Sequence, residues 1–448
     1  MCVIQKIYGY LQIEITLWRK IMKKLFSTIN KDTSNQIILF IFIFSLVLLP
    51  SFYLPWFRFK FQVVDFFMPF FAGVIIYKKR FKNWNLLYVK NFLFLMGFIL
   101  FSIILNKQWT AINDWFEIYK VIKYLLVFLI FKELYTSKMK TATIDIVFIG
   151  LLVFNFLHYH NIFNFNQLIM PLYCGEDRVH LTFFGLNSLG FPCVKRMIGT
   201  MGNPNDNAIL FLIFMLFYLP KEKWKIKNLC FFVLCLIAFL ACQSRTSLVA
   251  FFVIIIANFI IIRIKWQKTL LHSGLITVII LAFFYNHIIL GSNFTIGSNS
   301  TVQKNYTTTL LDGTAFESNS WTFRIELWKE YLNQSLKRPM IGHAPQKNYF
   351  YEQKLHFENE YVLFLWRYGI LGFIAFIGFY LIPIRKIFKT VRSSEISKNT
   401  LLLIMIFAIC GLANVPLSNT TLSLLFFSYL GIFYSQKIEN NENMAQNY

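Results

Sequence analysis

The residues with chemistry to offer fall into four clusters along the 448-residue chain. The first is Lys195-Arg196-Met197-Ile198-Gly199-Thr200-Met201-Gly202-Asn203-Pro204-Asn205-Asp206-Asn207. Its density of Gly, Asn and Asp marks a turn that opens a helix. Asn205 or Asp206 can cap that helix by accepting from its first free N–H groups. The same helix N-terminus, with Arg196 beside it, can hold an anion. The second cluster is Gln243-Ser244-Arg245-Thr246-Ser247, one arginine within an otherwise apolar stretch. A guanidinium there needs a partner or water. Its planar fork suits phosphate oxygens; the plainer alternative is a residue snorkelling to an interface.

The third cluster is Trp321-Thr322-Phe323-Arg324-Ile325-Glu326-Leu327-Trp328, followed by Arg338-Pro339-Met340-Ile341-Gly342-His343. Trp321, Ile325, Trp328 and Leu332 recur at helical spacing, which predicts an amphipathic helix over 321–336 lying on the outer leaflet. Arg324 and Glu326 are two apart and do not face each other, which leaves Arg324 a candidate for an anion; His343 is a further candidate. The fourth is His356-Phe357-Glu358-Asn359-Glu360-Tyr361, leading into Trp366-Arg367-Tyr368-Gly369-Ile370-Leu371-Gly372. His356 and Glu358 can take a proton from a hydroxyl. Acids are equally at home in the first turn of a helix, so Glu360 has two readings. Arg367 falls about two turns into the next apolar run and is expected to pair internally.

The elements that must position these clusters are membrane spans. The chain is 57% hydrophobic, 19% aromatic and 15% charged, with 53 Phe and a mean hydropathy of +0.54. A soluble domain carries about 25% charged residues, so a soluble enzyme, a disordered chain and a disulfide scaffold are excluded. A β-barrel is excluded because the apolar runs are continuous rather than alternating. Runs fall near 36–54, 62–77, 90–106, 114–131, 142–158, 206–220, 228–242, 247–263, 270–290, 360–383, 399–414 and 419–436. The break at Gln243–Thr246 divides a stretch too long for one span.

Charge fixes the expected orientation. With the N-terminus inside, the inner segments carry 27 Lys/Arg and the short outer turns four, as the positive-inside rule requires. Both termini then lie in the cytoplasm, and two long loops, about 159–205 and 291–359, lie outside. The net charge of +23 therefore reads as topology, and nucleic acid is not an expected partner. The predicted fold class is an all-α integral membrane protein of about 12 transmembrane helices with two long outer (periplasmic) loops. Residues 1–35 form a cytoplasmic segment without a secretory signal, and 36–448 a single polytopic domain. Cys174 and Cys193 share an outer loop and can pair in an oxidising compartment; two free thiols is the alternative. No metal-ligand spacing and no nucleotide-binding loop is visible.

At these four clusters the chain resembles the O-antigen polymerase and ligase superfamily, bacterial inner-membrane glycosyltransferases of the lipid-linked-sugar (GT-C-like) type. The matching pieces are Gly199 through Asp206, Ser244 through Ser247, Arg324 through Trp328 with Pro339 through His343, and Glu358 through Tyr361 with Tyr368 through Gly372. The resemblance covers roughly residues 190–375. Its ligase branch typically carries a His immediately before the Asn that precedes the last long span. Here that position is Glu358, which looks more like a Wzy-type polymerase, with a ligase as the alternative. The resemblance implies an undecaprenyl-diphosphate-linked oligosaccharide as substrate, membrane lipid as surroundings, and a chain-length regulator and a flippase as candidate partners. It implies no cofactor and no metal. His356, Glu358, Arg245 and Arg324 are then expected to be catalytic. Arg196, Asn203, Asn205, Asp206, His343, Asn359 and Tyr361 are expected to bind substrate. A flippase or transporter is the rival class, which would place polar groups deep in its spans; Lys120 and Lys123 are the main residues of that kind here.

Overall fold

A computed structural model describes residues 31–53, 60–77, 86–135, 141–174, 196–219, 225–262, 319–353 and 357–436. His356, Cys193, the span expected at 270–290 and most of both long loops lie outside the described residues. Eleven of the twelve apolar runs are helices: α1 Lys31–Leu48, α2 Val63–Tyr77, α3 Leu87–Leu105, α4 Ile112–Leu134, α5 Thr141–His160, α7 Pro204–Tyr218, α8 Ile226–Ala241, α9 Arg245–Ile262, α12 Glu360–Thr390, α13 Glu395–Cys410 and α14 Thr420–Ser435. Three more helices lie in the loops: α6 Phe165–Leu168, α10 Asn319–Ser335 and α11 Lys347–Glu352. Among the described residues, three helices are both long and apolar enough to cross a membrane: Leu87–Leu105, Ala142–His160 and Glu360–Thr390. Five shorter apolar helices accompany them. The all-α expectation needs one amendment. Ser51–Tyr53 and Lys60–Gln62 form a small antiparallel pair, β1 and β2, in register Ser51↔Gln62.

Helix starts follow from local chemistry. Asn203, Asn359, Ser394 and Asn419 are extended residues whose side chains accept from N–H groups one turn on. The cap of α7 is thus Asn203 rather than Asn205 or Asp206. Pro204 at the first helical position has its φ pre-set and no N–H to satisfy, which fixes the boundary one residue earlier.

Aromatic side chains fill the interior. Phe92 of α3 meets Phe379 of α12 at 4.7 Å and Phe427 of α14 at 5.0 Å, and Tyr88 meets Phe128 of α4 at 5.0 Å. The outside of the bundle is apolar too: Leu93, Phe94, Phe101, Ile146, Val153 and Ile374 are exposed. A surface of that kind needs lipid around it. This is a membrane protein.

Two features depart from the sequence expectation. The helix at 321–336 is present as α10, but its buried face runs through Tyr331, with Leu327 and Trp328 packed on the cluster of Phe350, Phe357, Val362, Leu363 and Trp366. Leu332 is 40% exposed. The helix therefore docks on the start of α12 with a face rotated from the expected one, because the aromatic cluster offers more contact there. Helix α12 is also not continuous. Gly369 sits at φ 64 and ψ −168, a region that is essentially glycine-only, and divides the helix into two runs.

Candidate functional site

The break at Gly369 frees carbonyls that a continuous helix would use. The segment after α10 takes them: the backbone N–H of His343 donates to Trp366 O and that of Ala344 to Arg367 O, both at 2.9 Å. Ile370 N–H returns the bond to Pro339 O at 2.7 Å. Gly342 has φ +67 and lies against the backbone of Arg367 and Gly369; a Cβ has no room there. His343 stacks on Trp366 at 4.9 Å, and its Nε2 lies 3.1 Å from Gln334 O. In these contacts His343 is a brace between α10 and α12.

The four sequence clusters meet at one end of the bundle, around the turn 411–419 between α13 and α14. From the fourth cluster, Asn359 Nδ2 donates to Leu412 O at 3.0 Å. Glu360 N–H donates to Gly411 O at 2.9 Å. The Glu360 carboxylate, fully buried, accepts from Leu417 N–H at 3.1 Å and Ser418 N–H at 2.7 Å. Tyr361 hydroxyl donates to Ala408 O at 2.7 Å. From the first cluster, Asp206 Oδ2 accepts from Asn419 Nδ2 at 2.8 Å. From the second, Ser247 Oγ lies 3.9 Å from Cys410 Sγ, two residues beyond Arg245 at the head of α9.

The first cluster is also tied to Cys242, the residue just ahead of the second. Arg196 Nε donates to Cys242 O at 3.0 Å, and Arg196 Nη2 to Asn205 Oδ1 at 2.8 Å. Asn207, buried, donates to Asn155 Oδ1 at 2.9 Å. The third joins through one ion pair: Arg324 on α10 meets Glu358 just ahead of α12. Both side chains are partly exposed, so this pair is within reach of a ligand. Sequence reasoning gave the two residues separate tasks; the fold puts them in contact.

The hub itself was not singled out from the sequence. Its signal was there: Asn414-Val415-Pro416-Leu417-Ser418-Asn419 is a polar turn between two apolar runs, ending on a cap residue. A second group was read only in part. Glu117 of α4 pairs with Lys120 at 3.2 Å and with Lys347 at 2.7 Å. Asp114 Oδ1 accepts from Lys347 N–H at 2.8 Å. Asn113 Nδ2 donates to Asn348 Oδ1 at 2.7 Å. These contacts fasten Lys347 and Asn348 to the start of α4, as Ser102 Oγ donating to Ile341 O at 2.9 Å and Asn106 Nδ2 donating to Gly342 O at 3.2 Å fasten the same segment to the end of α3. Burial holds the Lys347 ammonium down at about 8, with Glu117 pulling the other way. Arg367, expected to pair internally, is within electrostatic reach of Asp114 and Glu117 and lies 5.0 Å from the Phe350 ring centroid, while its Nε lacks a hydrogen-bond partner among the described residues. No three His, Cys, Asp or Glu side chains come together as metal ligands among the described residues.

The contact between Arg324 and Glu358 lies inside a stretch with a recognisable likeness. Residues 230–377 match the family model described as O-antigen ligase. The match takes in Arg245, Arg324, His343, Glu358, Asn359, Tyr361 and Arg367, and covers about a third of the chain. Arg196, Asn203, Asn205 and Asp206 lie before it. No curated protein matches the chain. The likeness supports the O-antigen polymerase and ligase superfamily, whose members are membrane enzymes of surface polysaccharide biosynthesis acting on lipid-linked glycans, and it does not separate the two branches.

Proposed function

We propose that this protein polymerises undecaprenyl-diphosphate-linked oligosaccharide repeat units at the outer face of a bacterial inner membrane. The orientation follows from the charge bias of the loops: both termini cytoplasmic, the hub at 411–419 facing out. The observation that carries the reading is the ion pair Arg324–Glu358 beside the hub. An arginine and an acid held in contact can divide between them a diphosphate and a hydroxyl proton.

The donor's diphosphate is neutralised by Arg245 and Arg324. Arg324 can serve it only by loosening its hold on Glu358, so arrival of the donor frees the carboxylate to act as base. The acceptor hydroxyl oxygen attacks the anomeric carbon from the face opposite the diphosphate. Its proton passes to Glu358, or to His356. The bond from the anomeric carbon to the phosphate oxygen breaks, and undecaprenyl diphosphate leaves with the electron pair. Negative charge grows on that leaving oxygen, so guanidinium groups there favour the transition state over the ground state. The configuration at the anomeric carbon inverts. Arg196, Asn203, Asn205, Asp206, His343, Asn359 and Tyr361 line or brace this end of the bundle.

A ligase reading has one observation in its favour, the description of the matching family model. Against it stands Glu358 where ligases of the superfamily typically carry His. A gel of surface glycan from a strain lacking the gene, beside the complemented strain, tests both. Core bearing a single repeat unit, with the ladder lost, is the expected outcome. Bare core with long polymer retained on the lipid carrier would replace polymerase by ligase. An unchanged ladder would remove both.

A further inference from the structure

The end of the bundle opposite the hub carries a charge surplus of its own. The segments on this side hold 27 Lys/Arg against eight Asp/Glu, with Asp145 at the start of α5 included. No rearrangement of those acids cancels such an excess. Orienting the spans accounts for the bias as a whole, but at one corner the fold gathers cations from two helices.

Helix α12, 31 residues with its break, is longer at about 1.5 Å per residue than the roughly 30 Å hydrocarbon core of a bilayer, so its ends reach the polar layers. Its exposed stripe is apolar through Ile370, Ile374 and Leu381 and continues in the same line through Arg385, Phe388 and Arg392. A stripe that turns from apolar to basic passes from acyl chains into headgroups. Lys386 points the other way. Its Nζ lies 4.8 Å from the Phe433 ring centroid and 4.9 Å from that of Tyr434, both on α14. Lys132, just inside the end of α4, is within electrostatic reach of Lys386. Gly431 of α14 lies against the backbone of Phe128 and Lys132, which brings these helix ends together. Two acids share the corner: Glu133, 3.7 Å from Lys132, and Glu395 at the start of α13. Arg385, Lys386, Lys389 and Arg392 have no ion-pair partner among the described residues.

We propose that this corner, formed by the tails of α4, α12 and α14, binds the headgroup of an anionic phospholipid. Charge selects the sign, since a zwitterionic headgroup brings no net charge to a surplus of cations. The stripe selects a lipid over free phosphate: Arg385 stands between Leu381 and Phe388 on a face that acyl chains cover, so the anion that reaches it arrives with its chains. Arg385 offers its fork from the lipid side, and Lys386, seated on two rings, offers N–H groups from the bundle side. The site is independent of which glycosyl transfer the protein performs.

Thermal unfolding of the full-length protein in a neutral detergent tests it. Phosphatidylglycerol is titrated at constant ionic strength, beside phosphatidylcholine with the same acyl chains and beside glycerol phosphate, which is a headgroup without chains. The expected result is a rise in Tm that saturates with phosphatidylglycerol alone. Equal responses to the two lipids would overturn the proposal. So would the same rise with glycerol phosphate, which would make the corner a site for free phosphate. Lys386→Met keeps the stem over the rings and removes the charge, and Arg385→Gln changes an exposed side chain. Each should raise the half-saturating phosphatidylglycerol several-fold; Arg385→Gln decides the matter if Lys386→Met does not fold. Lys225→Gln, at an exposed lysine just ahead of α8 on the same side, should leave it unchanged. An equal loss in Lys225→Gln would mean that the whole face attracts the lipid and that the corner is no site.

Discussion

At the scale of single residues, the charged groups divide by what they touch. Glu360 is fully buried with both carboxylate oxygens bonded to the 417–418 backbone, so it shapes the hub. Glu358 is partly exposed and bonded to Arg324, so it can change partners. An exposed ion pair contributes little to stability, about 0–1 kcal/mol, and the same holds for its loss. Arg324→Glu combined with Glu358→Arg should therefore leave protein in the membrane at normal levels while polymer is lost; full activity in this swapped protein would show that the pair is a structural contact. Arg245→Ala should likewise abolish polymer without lowering membrane levels, read by glycan gel and immunoblot. Wild-type polymer from that variant would remove Arg245 from the mechanism.

At the scale of elements, the break in α12 is the decisive piece of local structure. Gly369 lies in a backbone region closed to side-chain-bearing residues, and a Cβ there would meet the Met340 backbone. Gly369→Ala should cost at least about 1–3 kcal/mol from strain alone, measured as a lower Tm of the purified protein. An unchanged Tm would mean that α12 can run straight. The 338–353 segment that stitches this break rests on Lys347, whose folded pKa of about 8 lies below its ordinary value of 10.5. A lysine depressed in this way binds its proton less tightly folded than unfolded. The cost of burying its charge is complete below pH 8 and fades between pH 8 and 10.5. Limited proteolysis of the segment should therefore slow from pH 7.5 to pH 9.5. Faster cutting at the higher pH would show that the charged pair with Glu117 outweighs burial.

At the scale of the whole molecule, the charge bias and the fold point the same way. Helix ends that the alternation of spans sends to one side are the ends that meet: the heads of α7, α9, α12 and α14 and the tail of α13. A cysteine introduced at Thr110, between α3 and α4, should react with a membrane-impermeant maleimide in intact cells. One at Ser393, between α12 and α13, should react only after lysis. Labelling in the opposite sense would invert the molecule and place the hub in the cytoplasm.

The sequence by itself determined what composition, period and charge can carry. Continuous apolar runs separated by basic turns made the chain a multi-span membrane protein, and the runs beginning at 206, 360 and 419 place those helix starts within two residues of Pro204, Glu360 and Thr420. The four polar clusters were visible because lone charges and Gly/Asn turns are rare between apolar runs. What the tertiary structure alone decided was who meets whom. Arg324 and Glu358 are 34 positions apart, and no periodicity links them. The turn at 411–419 became the hub because its backbone N–H and C=O groups, left over at helix ends, satisfy Glu360 and Asn359, and the Asn419 side chain satisfies Asp206. Buried polar groups must find partners, and in a bundle of antiparallel helices those partners stand on neighbouring helices, at distances the linear order does not encode.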